Sequence, residues 1–218
     1  NLPKSSQEFY TNINLFLEDF NISFDNFTLE NYKELYTIST MLSQKFLYSL
    51  REKNSQEYLH PKLEQFLIRS SNEIGICPIL THTSLDVYNW TYKGDLTEDI
   101  KTKNPDYIYE NIDSKYKFFK GTKGEYEKGF TIPMVIIEAY GADILNELSQ
   151  LLDLEEISFE VIDNFFDLFL KRLDYIKQSL TLVSKYSQPD FFYNKLRPYL
   201  KGYSELYFKS LNEKLTYR

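Results

Sequence analysis

The chain has 218 residues, enough for one large domain or two small ones with an interior of their own. Its formal net charge of -7 has the wrong sign for binding a phosphate backbone, and no apolar run approaches the ~18 residues of a spanning helix. With one cysteine, Cys77, and two histidines, His60 and His82, an internal disulfide framework and a Cys/His zinc cluster are both excluded, and a reducing, cytoplasmic setting is expected.

In chain order, Ser5-x-x-Glu8 has the form of a capping box, and Phe9, Ile13, Phe16 and Phe20 follow at helical spacing. A second helix is predicted over about Leu29 to Ser55, striped by Tyr32, Leu35, Ile38, Leu42, Phe46 and Leu50. Pro61 suits the first position of a third. From Gly75 to Asn89 the sequence turns apolar and irregular, and from Gly94 to about Gly129 it is polar and punctuated by Pro105, Gly121 and Gly124. We expect a boundary there, with a small N-terminal helical domain over 1–104 and the first part of a larger one over 105–218. Three further helices are predicted: Ile132 to Leu152; Phe159 to Tyr186, striped by Ile162, Phe165, Phe169, Leu173, Ile176 and Leu180; and Phe191 to Tyr203 or beyond. Ser204 to Arg218 runs on through Leu206, Phe208, Leu211 and Leu215 without a Gly or Pro stop, as an excerpt of a longer chain would. Only 7 Gly and 7 Pro are too few for an all-β sandwich, so the expected fold class is all-α. The 19 Tyr and 17 Phe read as bulky core filling. Three Asn-x-Ser/Thr sequons, at Asn21, Asn26 and Asn89, are expected as chance matches.

Phosphate-cradling glycine loops, an H-E-x-x-H zinc helix and a G-x-S-x-G elbow are absent from the sequence. Acidic runs such as Asp153, Glu155 and Glu156 read as a solvated surface. What remains is a series of weak features in a telling order: Pro78-Ile79-Leu80 leading to Asn89-Trp90; Tyr109-Glu110-Asn111-Ile112-Asp113; Lys128-Gly129-Phe130 with Glu138 downstream; and Phe192-Tyr193 leading to Arg197-Pro198-Tyr199-Leu200-Lys201-Gly202-Tyr203. In order and spacing these resemble the indoleamine 2,3-dioxygenase family, from about Leu2 to about Tyr203.

The resemblance implies a helical fold in which a small N-terminal domain lies over a larger one holding haem b. It also implies an activity: opening the indole ring of tryptophan with O₂ at ferrous haem to give N-formylkynurenine. Phe130 and Phe192 would then line the pocket against both substrate and cofactor, and Arg197 would bind the substrate carboxylate. A guanidinium suits that task, because its rigid fork grips a carboxylate in two places and stays charged. An ion pair for Arg197, and ordinary core packing for the two rings, are the plain alternatives. Met134, four residues after Phe130, stands where tryptophan-cleaving relatives commonly carry a serine. His82 stands in the distal stretch of the small domain, where an imidazole could hydrogen-bond O₂ or move a substrate proton, or could simply be satisfied locally. The family's axial histidine lies downstream of the arginine motif, and neither His60 nor His82 matches it, so no metal ligand is assigned to this chain. A second chain or a further C-terminal segment is expected to complete the pocket. The competing expectation is a non-catalytic interaction or assembly protein that kept the scaffold and lost haem.

Overall fold

The computed structural model describes residues 4–51, 58–93 and 102–217. The fold is helical with two small antiparallel sheets, and it divides into two compact units: residues 1–89 with 193–218, and residues 90–192. The expected division at 104/105 differs at both ends. Trp90–Tyr92 (β1) pairs with Ile112–Ser114 (β2), which draws residues 90–104 into the second unit. The chain after Phe192 returns to the first.

In the first unit, α1 spans Lys4–Asp19, α2 Leu29–Arg51 and α3 Pro61–Ile74. Ser5 therefore falls inside α1 rather than at its cap, and the predicted extension of α2 to Ser55 lies outside the described residues. Thr28 and Asn31 cap α2 reciprocally: Thr28 N–H donates to Asn31 Oδ1, and Asn31 N–H to Thr28 Oγ1. Pro61 opens α3 as predicted, and Gly75 closes it with its N–H on Ser71 O at φ 71°, a conformation that favours glycine. Leu17, Tyr36, Leu47, Leu63 and Leu67 form the buried centre. Two hydroxyls on the buried part of α2 return to the helix's own carbonyls, Thr37 to Lys33 O and Thr40 to Tyr36 O, while the buried Ser43 hydroxyl has no hydrogen-bond partner among the described residues.

The predicted final helix is corrected. Helical structure stops at Leu200, and Tyr203–Phe208 (β3) and Glu213–Tyr217 (β4) form an antiparallel hairpin with Leu206 opposite Leu215 and Phe208 opposite Glu213. Tyr203, Leu206 and Phe208 are buried in the first unit's core. A bulge between Tyr203 and Leu206 restores the two-residue alternation, with Glu205 at φ 55°, and Asn212 makes the turn at φ 52°. A Gly or Pro stop was never needed.

In the second unit, α4 is Pro105–Asn111, α5 Thr122–Leu152, α6 Phe159–Tyr186 and α7 Pro189–Phe191. A π-helical turn, Phe192–Leu196, and the short α8, Arg197–Leu200, carry the chain back to the first unit. Asn104 caps α4 and Ser158 caps α6 through their side chains. Ile108, Ile112, Ile132, Ile136, Tyr140 and Leu182 make a second buried core. α5 begins at Thr122, well before the expected Ile132, because Gly124 and Gly129 serve packing and do not break the helix. A Cβ at Gly129 would stand 2.5 Å from the backbone carbon of Tyr186, so the absent side chain is what lets α5 and the end of α6 meet. The Asp153/Glu155/Glu156 run is exposed.

Candidate functional site

The first group of predicted residues sits on α5 and at the start of the π-helical turn, all in the second unit. Phe130 and Phe192 are half-buried, with ring centroids 4.8 Å apart at an interplanar angle of 38°. Met134 is also half-buried and follows Phe130 by four residues, so it lies on the same helix face. Pro133, just before it, has no N–H to donate to Gly129 O, four residues earlier. Gly129 itself is pressed against Tyr186 and Ser187. The Lys-Gly-Phe motif is thus a packing joint followed by an aromatic wall.

Lys128 and Glu127 anchor that wall from behind. Glu127 is buried and its carboxylate accepts both Phe118 N–H, at 2.8 Å, and Phe119 N–H, at 3.0 Å, so it holds the approach to α5. Lys128 is only 3% exposed. Its ammonium lies 4.5 Å from the centroid of the Tyr109 ring, which in turn stacks on Tyr186 at 4.2 Å. Burial, and then the neighbouring Lys93 ammonium, push Lys128 down to about 8, while burial pushes the Tyr109 hydroxyl well above its ordinary value. The family-like segment Tyr109–Asp113 therefore supplies core packing and strand β2. Trp90 likewise packs against the second core, and Glu138 is exposed on α5.

The second group lies in the first unit. Arg197 is exposed at the start of α8, with its guanidinium 5.5 Å from the centroid of the Tyr193 ring, a range at which a cation is attracted to the ring face. His82 Nδ1 donates to Asp86 Oδ2 at 2.7 Å; the carboxylate is buried and the imidazole half-exposed. The Asp86 carboxylate thereby orients the imidazole through Nδ1. Asn89, which closes the motif begun by Pro78, is buried and donates to Leu85 O, so its sequon is shut inside the fold.

Sequence reasoning missed three residues that hold this region. Tyr36 Oη lies 2.8 Å from both Cys77 O and Ile79 O, and Tyr203 Oη donates to Pro78 O at 2.5 Å. Two phenols from distant elements thus clamp the Pro78 loop. Burial pushes Tyr36 up to about 12, and Tyr203 is raised as well for the same reason. Glu64, 1% exposed, accepts Lys209 N–H and Ser210 N–H at the tip of the terminal hairpin. A tyrosine on an apolar stripe looks like any core ring, and a carboxylate on α3 carries no mark of a partner so far along the chain.

The donor set can be tested against haem, which needs an axial side chain. His60 is spent as the cap of α3, its Nδ1 accepting Lys62 N–H, and burial holds its pKa below the ordinary value. His82 is tied to Asp86 on a half-exposed turn. Neither lines the cavity of about 380 Å³ between α5 and α6 or that of about 220 Å³ beside α1, α2 and α3. Among the described residues no group of three or more His, Cys, Asp or Glu could hold a metal ion. The described residues offer an aromatic pair, Phe130 and Phe192, while neither histidine stands at the family's axial position.

A helical protein with this ordered set of motifs belongs to the haem-dioxygenase type. A family model described as indoleamine 2,3-dioxygenase matches residues 22–218, and the chain belongs to that family. Comparison with curated proteins returned no match. Membership implies a haem-dioxygenase-like role with a small-molecule substrate and O₂. Among the described residues no helix is long and apolar enough to cross a membrane.

Proposed function

We propose that the chain forms the substrate-facing part of a cytoplasmic, haem-dependent dioxygenase that inserts O₂ into the indole ring of tryptophan or a related indole. The observation that carries this reading is the half-buried Phe130–Phe192 ring pair, 4.8 Å apart, within a chain of this family. Haem b supplies O₂ binding and redox chemistry when bound. Neither His60 nor His82 matches the family's axial position, so the iron ligand in this reading is supplied by a further C-terminal segment or a second chain.

The chain's own residues have simpler tasks. Phe130 and Phe192 present ring faces that exclude water and hold a flat bicycle. Met134 adds a flexible thioether where a hydroxyl would have offered a hydrogen bond, which favours an apolar contact to the substrate. Arg197, steadied by Tyr193, takes the carboxylate. His82, oriented by Asp86, is in this reading the imidazole that moves a substrate proton.

Arg197→Ala carries the test, made on protein isolated from its source. The expected result is a KM for L-tryptophan raised about tenfold or more, with kcat/KM for tryptamine, which lacks the carboxylate, little changed. Equal losses on both compounds would remove the anchor role. A sample with no Soret band would move the chain to the non-catalytic scaffold reading.

A further inference from the structure

A buried phenol is tied to the residue just before His82. Tyr36, on α2, is 0% exposed, and its Oη lies 2.8 Å from both Cys77 O and Ile79 O and 3.4 Å from Thr81 Oγ1. Carbonyls can only accept, so the single phenolic proton goes to them, and the phenol oxygen is left to accept from the Thr81 hydroxyl. Thr81 in turn closes a reciprocal cap with the buried Ser84: Thr81 N–H donates to Ser84 Oγ at 3.0 Å, and Ser84 N–H donates to Thr81 Oγ1 at 3.2 Å. His82 and Thr83 are the two residues that this cap brackets.

The imidazole is thus fixed at two levels. The cap sets its backbone, and the buried Asp86 carboxylate, 2.7 Å from Nδ1, sets its ring. Asp86 belongs to a π-helical turn, Thr83–Val87, that starts from the same anchor, since Leu85 N–H donates to Thr81 O and Tyr88 N–H to Thr83 O, each at 2.9 Å. These bonds are all local, so cap, ring and carboxylate could move together as one block. Tyr36 reaches the leading edge of that block from a helix position 41 to 45 residues earlier in the chain, and it therefore fixes where the block sits. Placement on this scale matters to a group that transfers a proton, because a displacement of about 1 Å can cost on the order of 100-fold in rate.

We propose that Tyr36 is a positioning residue for His82, holding through Thr81 the turn that presents the imidazole. Its effect on turnover rests on the proton-transfer role given to His82 above; its effect on the ring does not. The test is a carbon-13 spectrum of the full chain labelled at histidine Cε1, with the His82 and His60 signals assigned by their loss in His82→Gln and His60→Gln. Tyr36→Phe removes one oxygen and keeps the ring in the core. It is expected to shift the His82 signal or split it in two while His60 stays in place, and to lower kcat for L-tryptophan about tenfold with KM within about twofold. Thr81→Val breaks the other half of the link and should move the His82 signal as well. Ser39→Ala deletes a buried hydroxyl of the same helix, one that donates to Tyr36 O at 3.2 Å, and should leave the His82 signal where it is. A His82 signal unmoved by Tyr36→Phe would overturn the proposal whatever happened to kcat, and so would an equal movement in Ser39→Ala. A moved signal with kcat unchanged would uphold the positioning and remove the proton-transfer role of His82 instead.

Discussion

The two units are held by different means. In the first, buried polar side chains reach across the chain to backbone groups: Tyr36 to Cys77 and Ile79, Tyr203 to Pro78, and Glu64 to Lys209 and Ser210. The second shares this device at Glu127, which accepts the Phe118 and Phe119 amides, but its helices also meet at close range, with Gly129 against Tyr186 and Tyr109 stacked on Tyr186, and an ion pair of 2.6 Å, Arg172 to Asp143, ties α6 to α5. The first design tolerates loops, because each loop carbonyl or amide has a buried partner. The second depends on shape, and shape fails abruptly when one atom is added.

Gly129→Ala should therefore be the most damaging small change. Its Cβ would meet backbone atoms of Tyr186 and Ser187 at 2.5 to 2.7 Å, and backbone cannot swing aside as a side-chain tip can. A loss of about 3 kcal/mol or more is expected, at the top of the range for overpacking, measured by denaturant unfolding. A midpoint within error of wild type would show that the joint between α5 and α6 slides freely, and would erase the contrast drawn between the units.

That contrast also governs what could be read from sequence. α6 was legible because its apolar stripe, its serine cap and its length all agree, and the Pro61 start of α3 was legible for similarly local reasons. α5 was half-legible: its apolar part from Ile132 was clear, but Gly124 and Gly129 look like breakers unless one knows that another backbone lies against them. The terminal hairpin was misread because the Glu205 bulge hides its alternation and Asn212 turns where a glycine was looked for. Of the site, Phe130 and Phe192 proved to be neighbours in space. Arg197 and His82 were found on the first unit, with partners, Tyr193 and Asp86, that short-range patterns did not announce.

The next effect concerns the first unit. Glu64→Ala removes the acceptor of two half-buried backbone N–H groups at the hairpin tip. The expected loss is about 2 kcal/mol, typical of a hydrogen-bonded buried carboxylate. Amide exchange should rise first at Lys209 and Ser210 and then along β3 and β4. Protection unchanged at the hairpin would mean that Tyr203, Leu206 and Phe208 hold it by apolar burial alone, and the first unit would then resemble the second.

The smallest effect gives the finest distinction, because it appears only as a slope against pH. Lys128 has a folded-state pKa pushed down to about 8 by burial and by Lys93, against an ordinary value near 10.5 when unfolded. Between these values the unfolded chain binds the proton that the folded chain has released. Stability contributed by this group therefore rises with pH from about 8 toward 10.5, by at most about 1.4 kcal/mol per unit, and below 8 the whole penalty of burying the charge is present. Lys128→Met keeps a long flexible side chain over Tyr109 without the charge. It should stabilise the protein at pH 7 and flatten the rise between pH 8 and 9.5, read as the difference from wild type so that the tyrosine ionisation common to both chains cancels. If Lys128→Met is instead destabilising at pH 7, the attraction between its ammonium and the Tyr109 ring outweighs desolvation. The second unit would then rest on a buried polar contact of the kind that defines the first.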